Sequence, residues 1–210
     1  MRLYDYWRSP ACHRVRIALH LKGLAFESVP VNLRQGAQRT LDYLARNAQA
    51  MVPTLEDGTA RLTQSLAIIE WLDETHPEPP LLPADALARA EVRALAQLVA
   101  CDIHPLATLR VVQHLQHRHG LGERERHVWQ RHWLEDGLRM LERRLAATAG
   151  RYSCGDQVTL ADLCLVPQLH QARHYEVDLT PFATACRIEA ACLALPAFAA
   201  ARPERQPDAV

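Results

Sequence analysis

Ser9, Ala11 and Cys12 stand at the head of a predicted helix, with Arg8 before them and Pro10 between. Ser9 suits an N-cap, Pro10 suits the first helical position, and Val15, Ala18 and Leu19 form an apolar stripe that runs until Gly23 stops the helix. A negative sulfur placed there would face free backbone N–H groups and the positive end of the helix dipole, the setting that lowers thiol pKa values. The opening therefore reads as an anion or thiolate site. His114, His117 and His119 look like a metal cluster at first sight, but no nearby Cys or carboxylate completes a ligand set. Helical spacing also puts His119 off the face shared by the other two, so no metal is expected.

The elements that must position these residues alternate over the first 80 positions. A strand is predicted over 3–7, a helix over 10–22, a second strand over 25–32 and a weaker helix over 39–45. A hairpin over 51–55 and 60–62 turns at Asp57-Gly58, and a helix over 65–75 buries Ile68, Ile69 and Leu72. This order is thioredoxin-like. Residues 76–83 hold four prolines in eight and make a linker. From 84 onward every periodic signal is helical, as in the stripe Leu134, Leu138, Leu141 and Leu145. Pro105 predicts a kink in a long pattern over 86–119, and Thr159-Leu160-Ala161-Asp162 predicts a capping box that makes Asp162 a fold determinant. The expected fold is α/β plus all-α, with a first domain over 1–80 and an all-helical domain over 84–210.

Composition narrows the function classes. The 210 residues are 49% apolar with formal net charge zero, so nothing in the charge attracts nucleic acid or an anionic membrane. Lys22 is the one lysine among 24 cationic residues, a bias of codon usage that leaves individual Arg positions as the informative ones. The six cysteines form no CxxC pair, the start shows no secretion signal, and no apolar run approaches the roughly 20 residues that cross a bilayer. A reduced, cytoplasmic protein without structural disulfides is expected.

Several strings together carry a family resemblance: Arg8-Ser9 with Arg14-Val15-Arg16-Ile17-Ala18-Leu19, Val52-Pro53-Thr54-Leu55, and Gln64-Ser65-Leu66-Ala67-Ile68-Ile69-Glu70. Pro80-Leu81-Leu82-Pro83, Thr159-Leu160-Ala161-Asp162, Val177-Asp178-Leu179-Thr180-Pro181 and Gln206-Pro207-Asp208 continue it along essentially the whole chain. The chain resembles the glutathione transferase fold, and within it the zeta class of maleylacetoacetate and maleylpyruvate isomerases. One departure stands out: the family's Ser-Ser-Cys is here Ser9-Pro10-Ala11. The backbone amides near Ala11 and Cys12 are then expected to carry more of the thiolate stabilisation.

The resemblance implies glutathione as cofactor and assigns its parts. Ser9 donates its hydroxyl to the sulfur, while Cys12 lines the site without a chemical role. Gln64 and Ser65 take the γ-glutamyl carboxylate, Val52, before a cis Pro53, pairs with the cysteinyl amide, and Gln49 meets the glycyl end. Arg8, Arg110 and Arg173 are the expected cations for a substrate with a carboxylate at each end, whereas Arg14 and Arg16 are expected in structural ion pairs. His104, in Cys101-Asp102-Ile103-His104-Pro105, is expected to face glutathione and substrate. The implied chemistry is reversible thiolate addition to a cis double bond, rotation, and elimination to the trans product. The preferred substrate is maleylpyruvate, as in gentisate breakdown, with maleylacetoacetate an alternative and a homodimer the expected assembly. Two rivals remain: a transferase that conjugates or dehalogenates small acids, and a transferase-like interaction domain without catalysis. A glutaredoxin-like reductase is weaker, because Cys12 lacks a resolving partner two residues away.

Overall fold

Leu3 and Asp5 alternate with Tyr4 along the first strand and all three are buried, so that strand must be covered on both faces. The computed structural model, which describes residues 1–209, accounts for this. β1 (Arg2–Asp5), β2 (Glu27–Pro30), β3 (Thr54–Asp57) and β4 (Ala60–Thr63) form a four-stranded sheet in the order β2-β1-β3-β4. β1 runs parallel to β2, with Tyr4 opposite Val29, and antiparallel to β3, with Leu3 opposite Leu55. The parallel step needs a crossover, which α1 (Pro10–Leu21) supplies.

α1 packs on α3 (Ser65–Thr75). On the other face Tyr4 meets Tyr43 of α2 (Leu41–Arg46) edge-on, ring centroids 6.0 Å apart, in a small core with Val31. The element order is the thioredoxin-like one expected. β3 starts at Thr54 and not at 51, because Pro53 has no N–H to give a ladder.

α1 is buried from Cys12 to Leu19, since α9 (Pro196–Ala200) packs on it as well as α3. Its arginines are therefore inside. Arg16 Nη1 donates to both Asp5 oxygens at 2.7 Å, Nη2 to Trp7 O at 3.0 Å and Nε to Ala201 O at 3.1 Å. This is the structural ion pair expected of Arg16. The chain from Leu193 onward clusters with Met1–Leu81, and the second unit is Leu82–Cys192. The helical unit is thus shorter than 84–210, because Arg16 and α1 hold the tail.

The second unit comprises α4 (Ala86–Gln97), α5 (Leu109–His119), α6 (Glu123–Thr148), α7 (Leu160–His174) and α8 (Ala183–Leu193). Leu134, Leu138, Leu141 and Leu145 of α6 are buried, as their spacing requires. Asp162 accepts hydrogen bonds from the N–H groups of Ser153 and Thr159, each at 2.8 Å, closing the start of α7.

Pro105 breaks the long helix instead of kinking it. The chain passes from α4 through a π-helical stretch, Leu98–Ile103, into a 3-10 turn, His104–Ala107, and Thr108 is extended before α5. Proline removes one helical N–H and crowds the carbonyl a turn earlier, so the helix cannot continue in register. Ile103 of the π stretch presses on Gly137 of α6, where an added Cβ would stand 2.4 Å from Ile103 Cγ1. By length and composition alone the stretch Ala86–His119 would pass for a membrane span, but the break at Pro105 and the extended Thr108 divide it. Within this unit its Val92, Leu95, Val99 and Ile103 are core residues.

Candidate functional site

Ser9 occupies the N-cap of α1 in extended conformation, and its Oγ accepts the Cys12 N–H at 3.3 Å. A hydroxyl that accepts a cap bond through a lone pair keeps its proton for another acceptor. Ser9 can therefore cap the helix and donate to an anion together. The Cys12 amide, however, is spent on Ser9, so the expected thiolate stabilisation by the Ala11 and Cys12 amides falls back on Ala11. Cys12 itself is fully buried. Burial pushes its thiol well above the usual range and the nearby Asp5 charge adds to this, while Arg16 and Ser9 pull the other way. A buried neutral thiol is a wall, not a nucleophile. Arg8 follows Trp7, with its guanidinium carbon 5.4 Å from the indole centroid.

A second group gathers at the start of α3. Gln64, the N-cap, holds φ +69° and ψ 113°, a region that residues other than glycine rarely adopt. Ser65 is buried at the first turn, where backbone N–H groups have no helical acceptor. Its Oγ accepts from Arg14 Nη1 at 3.3 Å. Arg14 thus reaches the predicted ligand site, and Arg16 makes the ion pair expected of it. A guanidinium beside a helix N-terminus is a setting that suits a carboxylate.

The loop before β3 is held from below. Tyr43 OH donates to Met51 O at 2.6 Å, and Asn47 Nδ2 donates to Met51 O at 2.8 Å and to Thr54 Oγ1 at 3.2 Å. Burial pushes the Tyr43 hydroxyl up to about 12, keeping it a donor. Asn47 Oδ1 accepts the Gln49 N–H at 3.0 Å, and Gln64 Nε2 donates to Gln49 Oε1 at 3.0 Å. Gln49 and Gln64, assigned to opposite ends of glutathione, are therefore joined to each other here. The Val52–Pro53 peptide is cis.

In the helical unit, His104 opens the 3-10 turn, half-buried, and Arg110 is exposed in the first turn of α5. Arg173 is oriented by an ion pair. Its Nη1 donates to Glu189 Oε1 at 2.5 Å and its Nη2 to Oε2, a fork-to-fork pair with a carboxylate that is nearly buried. The Glu189 hydrogen bond raises the Arg173 pKa further. The pair uses one N–H of each Nη, so the half-exposed Arg173 keeps its other donors. The rings of His114 and His119 meet edge-on at 5.7 Å, despite helical spacing, because His119 closes α5 just before left-handed Gly120. Among the described residues no three His, Cys, Asp or Glu side chains converge as a metal site.

Sequence reasoning missed Arg14, Asn47 and Tyr43 as supports of the site. The available signal was an arginine on each flank of the α1 apolar stripe, which has meaning only once α3 and α9 bury both flanks.

The comparisons agree with this architecture. The glutathione S-transferase N-terminal domain model matches residues 3–80 and the C-terminal domain model residues 123–200. A probable maleylacetoacetate isomerase of Vibrio cholerae is 46% identical over 209 residues, 99% of this chain and 97% of that protein. The holo structure of a bacterial maleyl pyruvate isomerase of the zeta class superposes with a TM-score of 0.98 at 46% identity, covering 100% of both chains. A maleylacetoacetate isomerase of Methylobacterium extorquens AM1, solved with malonate and glutathione bound, gives 0.98 at 45% identity, again over 100% of both chains. Identity of this level over the full length leaves one assignment: the chain belongs to the glutathione S-transferase family, in its zeta class.

Proposed function

We propose that the chain is a glutathione-dependent cis–trans isomerase of a maleyl keto acid in aromatic catabolism, with maleylpyruvate preferred and maleylacetoacetate a second substrate. The observation that carries the reading is the Ser9 hydroxyl, whose oxygen caps α1 while its proton stays available to an anion. The residues present suit glutathione: a helix N-terminus at Gln64 and Ser65 beside Arg14 for a carboxylate, and a hydroxyl proton for a sulfur. Relatives named for the isomerisation and solved with glutathione and a dicarboxylate support the same reading.

When bound, glutathione supplies a thiolate able to add reversibly to an activated double bond. The chain's own residues then have these tasks. Ser9 donates to the sulfur and favours its ionised form, with the Ala11 amide beside it. Gln64 and Ser65 hold the γ-glutamyl carboxylate, and Val52 and Gln49 hold the peptide-like remainder. Arg8 and Arg110 bind the substrate carboxylates, and His104 donates to the keto oxygen as negative charge develops there. Arg173, half exposed and held on one edge by Glu189, is the third cation for those carboxylates.

The test is an absorbance assay with maleylpyruvate and with maleylacetoacetate, each with and without glutathione. Glutathione-dependent turnover with free glutathione recovered is the expected result, and maleylpyruvate should show the higher kcat/KM. Consumption of glutathione into a stable adduct would favour a conjugating or dehalogenating transferase. Failure to bind immobilised glutathione would favour a non-catalytic domain. The assembly proposed is a homodimer, and light scattering that finds a fully active monomer would refute it.

A further inference from the structure

The backbone of Trp7 is held from both sides by opposite charges. Its N–H donates to Asp208 Oδ2 of the C-terminal tail at 3.1 Å, and its carbonyl accepts from Arg16 Nη2 at 3.0 Å. One residue further, Arg8 leads into Ser9, whose own N–H closes a turn onto Tyr6 O at 2.8 Å. The segment that delivers the Ser9 hydroxyl is thus pinned at Tyr6 and Trp7. The other Asp208 oxygen, Oδ1, is buried and has no hydrogen-bond partner among the described residues.

The tail has its own reasons to sit there. Gln206 Nε2 donates to Ala200 O at 3.2 Å and to Arg202 O at 2.8 Å, and Ala209 N–H turns back to Gln206 O at 3.1 Å. Arg16 also donates to Ala201 O, so one guanidinium ties both the tail and the Trp7 carbonyl to α1. A hydrogen bond to a charged acceptor is stronger than a neutral one. Asp208 is therefore well suited to fix the register of a short loop.

We propose that Asp208 is a positioning residue for Ser9: by accepting the Trp7 N–H it sets the loop that aims the Ser9 hydroxyl at its anion. The proposal rests on the glutathione reading for its catalytic arm. It does not rest on it for its structural arm, which concerns the loop itself.

The experiment compares wild type, D208A and D208N in two measurements. The first is amide hydrogen exchange of the peptide spanning residues 6–9, read without ligand. The second is steady-state isomerisation against pH, with glutathione varied. D208A should speed exchange in the 6–9 peptide and lower kcat about tenfold, as expected for a lost hydrogen bond to a charged group. Its alkaline recovery limb should shift upward, because a misaimed Ser9 stabilises the thiolate less. KM for glutathione should stay within about twofold, since the groups that bind the peptide lie elsewhere. D208N, whose amide oxygen can still accept the Trp7 N–H, should return to within about threefold of wild type.

Unchanged exchange and unchanged kcat in D208A would overturn the proposal. So would equal losses in D208A and D208N that track a fall in melting temperature, because that pattern marks a general tail contact. If the wild type ignores glutathione, the function proposed above fails, and the exchange measurement still decides whether Asp208 holds the loop.

Discussion

Replacing Ser9 separates the two duties its hydroxyl performs. Ser9→Ala removes the acceptor of the Cys12 N–H, and at 3.3 Å that bond is long. The stability cost should therefore lie at the low end of helix-cap losses, about 0.5–1 kcal/mol. The catalytic cost is larger if the same hydroxyl donates to a thiolate, because a hydrogen bond to a charged group is worth about 1.5–3 kcal/mol. That range corresponds to a fall in turnover of about tenfold to a hundredfold. The sign of the pH effect follows. Losing a donor to the ionised sulfur raises the pKa of the bound thiol, so activity is lost at neutral pH and recovered on the alkaline side, with the limb displaced by about one to two pH units.

Ser9→Gly sharpens the comparison, since glycine at an N-cap costs only about 0.3 kcal/mol relative to serine. It should fold nearly as well as wild type and lose as much turnover as Ser9→Ala. Cys12→Ser is the control. Cys12 is buried and its thiol is held neutral, so this change should touch stability before turnover. The assays are thermal unfolding and pH–rate profiles of all three variants under glutathione saturation. Equal losses of turnover in Ser9→Ala and Cys12→Ser, or a Ser9→Ala profile scaled down without displacement of its alkaline limb, would refute the reasoning.

Arg110→Ala should raise KM for the maleyl acid and lower kcat while leaving glutathione affinity within about twofold, measured by titration calorimetry and initial rates. Arg173→Ala should act on folding as well as on substrate binding. It strands the nearly buried Glu189 carboxylate, and because the arginine is half exposed the expected loss is about 1–3 kcal/mol in chemical denaturation. Gly137→Ala should also destabilise, by about 1–3 kcal/mol, since its methyl group would stand 2.4 Å from Ile103 in a packed core.

What was legible in the sequence was local. The Ser9 cap, the Pro10 start, the α6 leucine stripe and the Thr159–Asp162 box depend on neighbours a few positions away, so spacing alone locates them. The resemblance supplied long-range roles for Gln64, Ser65 and Val52, which no local pattern encodes. The charged residues were the opaque part. Arg14, Arg16 and Arg173 look alike in the sequence, yet one reaches Ser65, one locks Asp5, and one is held by Glu189 sixteen positions on. Nothing short of the packing of α1 and α7 distinguishes them.

That contrast has a physical origin. An apolar stripe is specified by its own helix, because burial is nondirectional and any packed neighbour satisfies it. A guanidinium is specified by its acceptors, which must converge in three dimensions from several segments. Arg16 meets that demand with acceptors from β1, from the Trp7 loop and from the tail at Ala201. A chain with 24 cationic residues therefore keeps its functional arginines hidden until the fold is known. The ones that matter are those whose acceptors belong to segments far apart in sequence. By that criterion Arg16 organises the loop that carries Ser9 as much as any residue predicted to touch a ligand, and the tail residues it gathers belong to the same assembly.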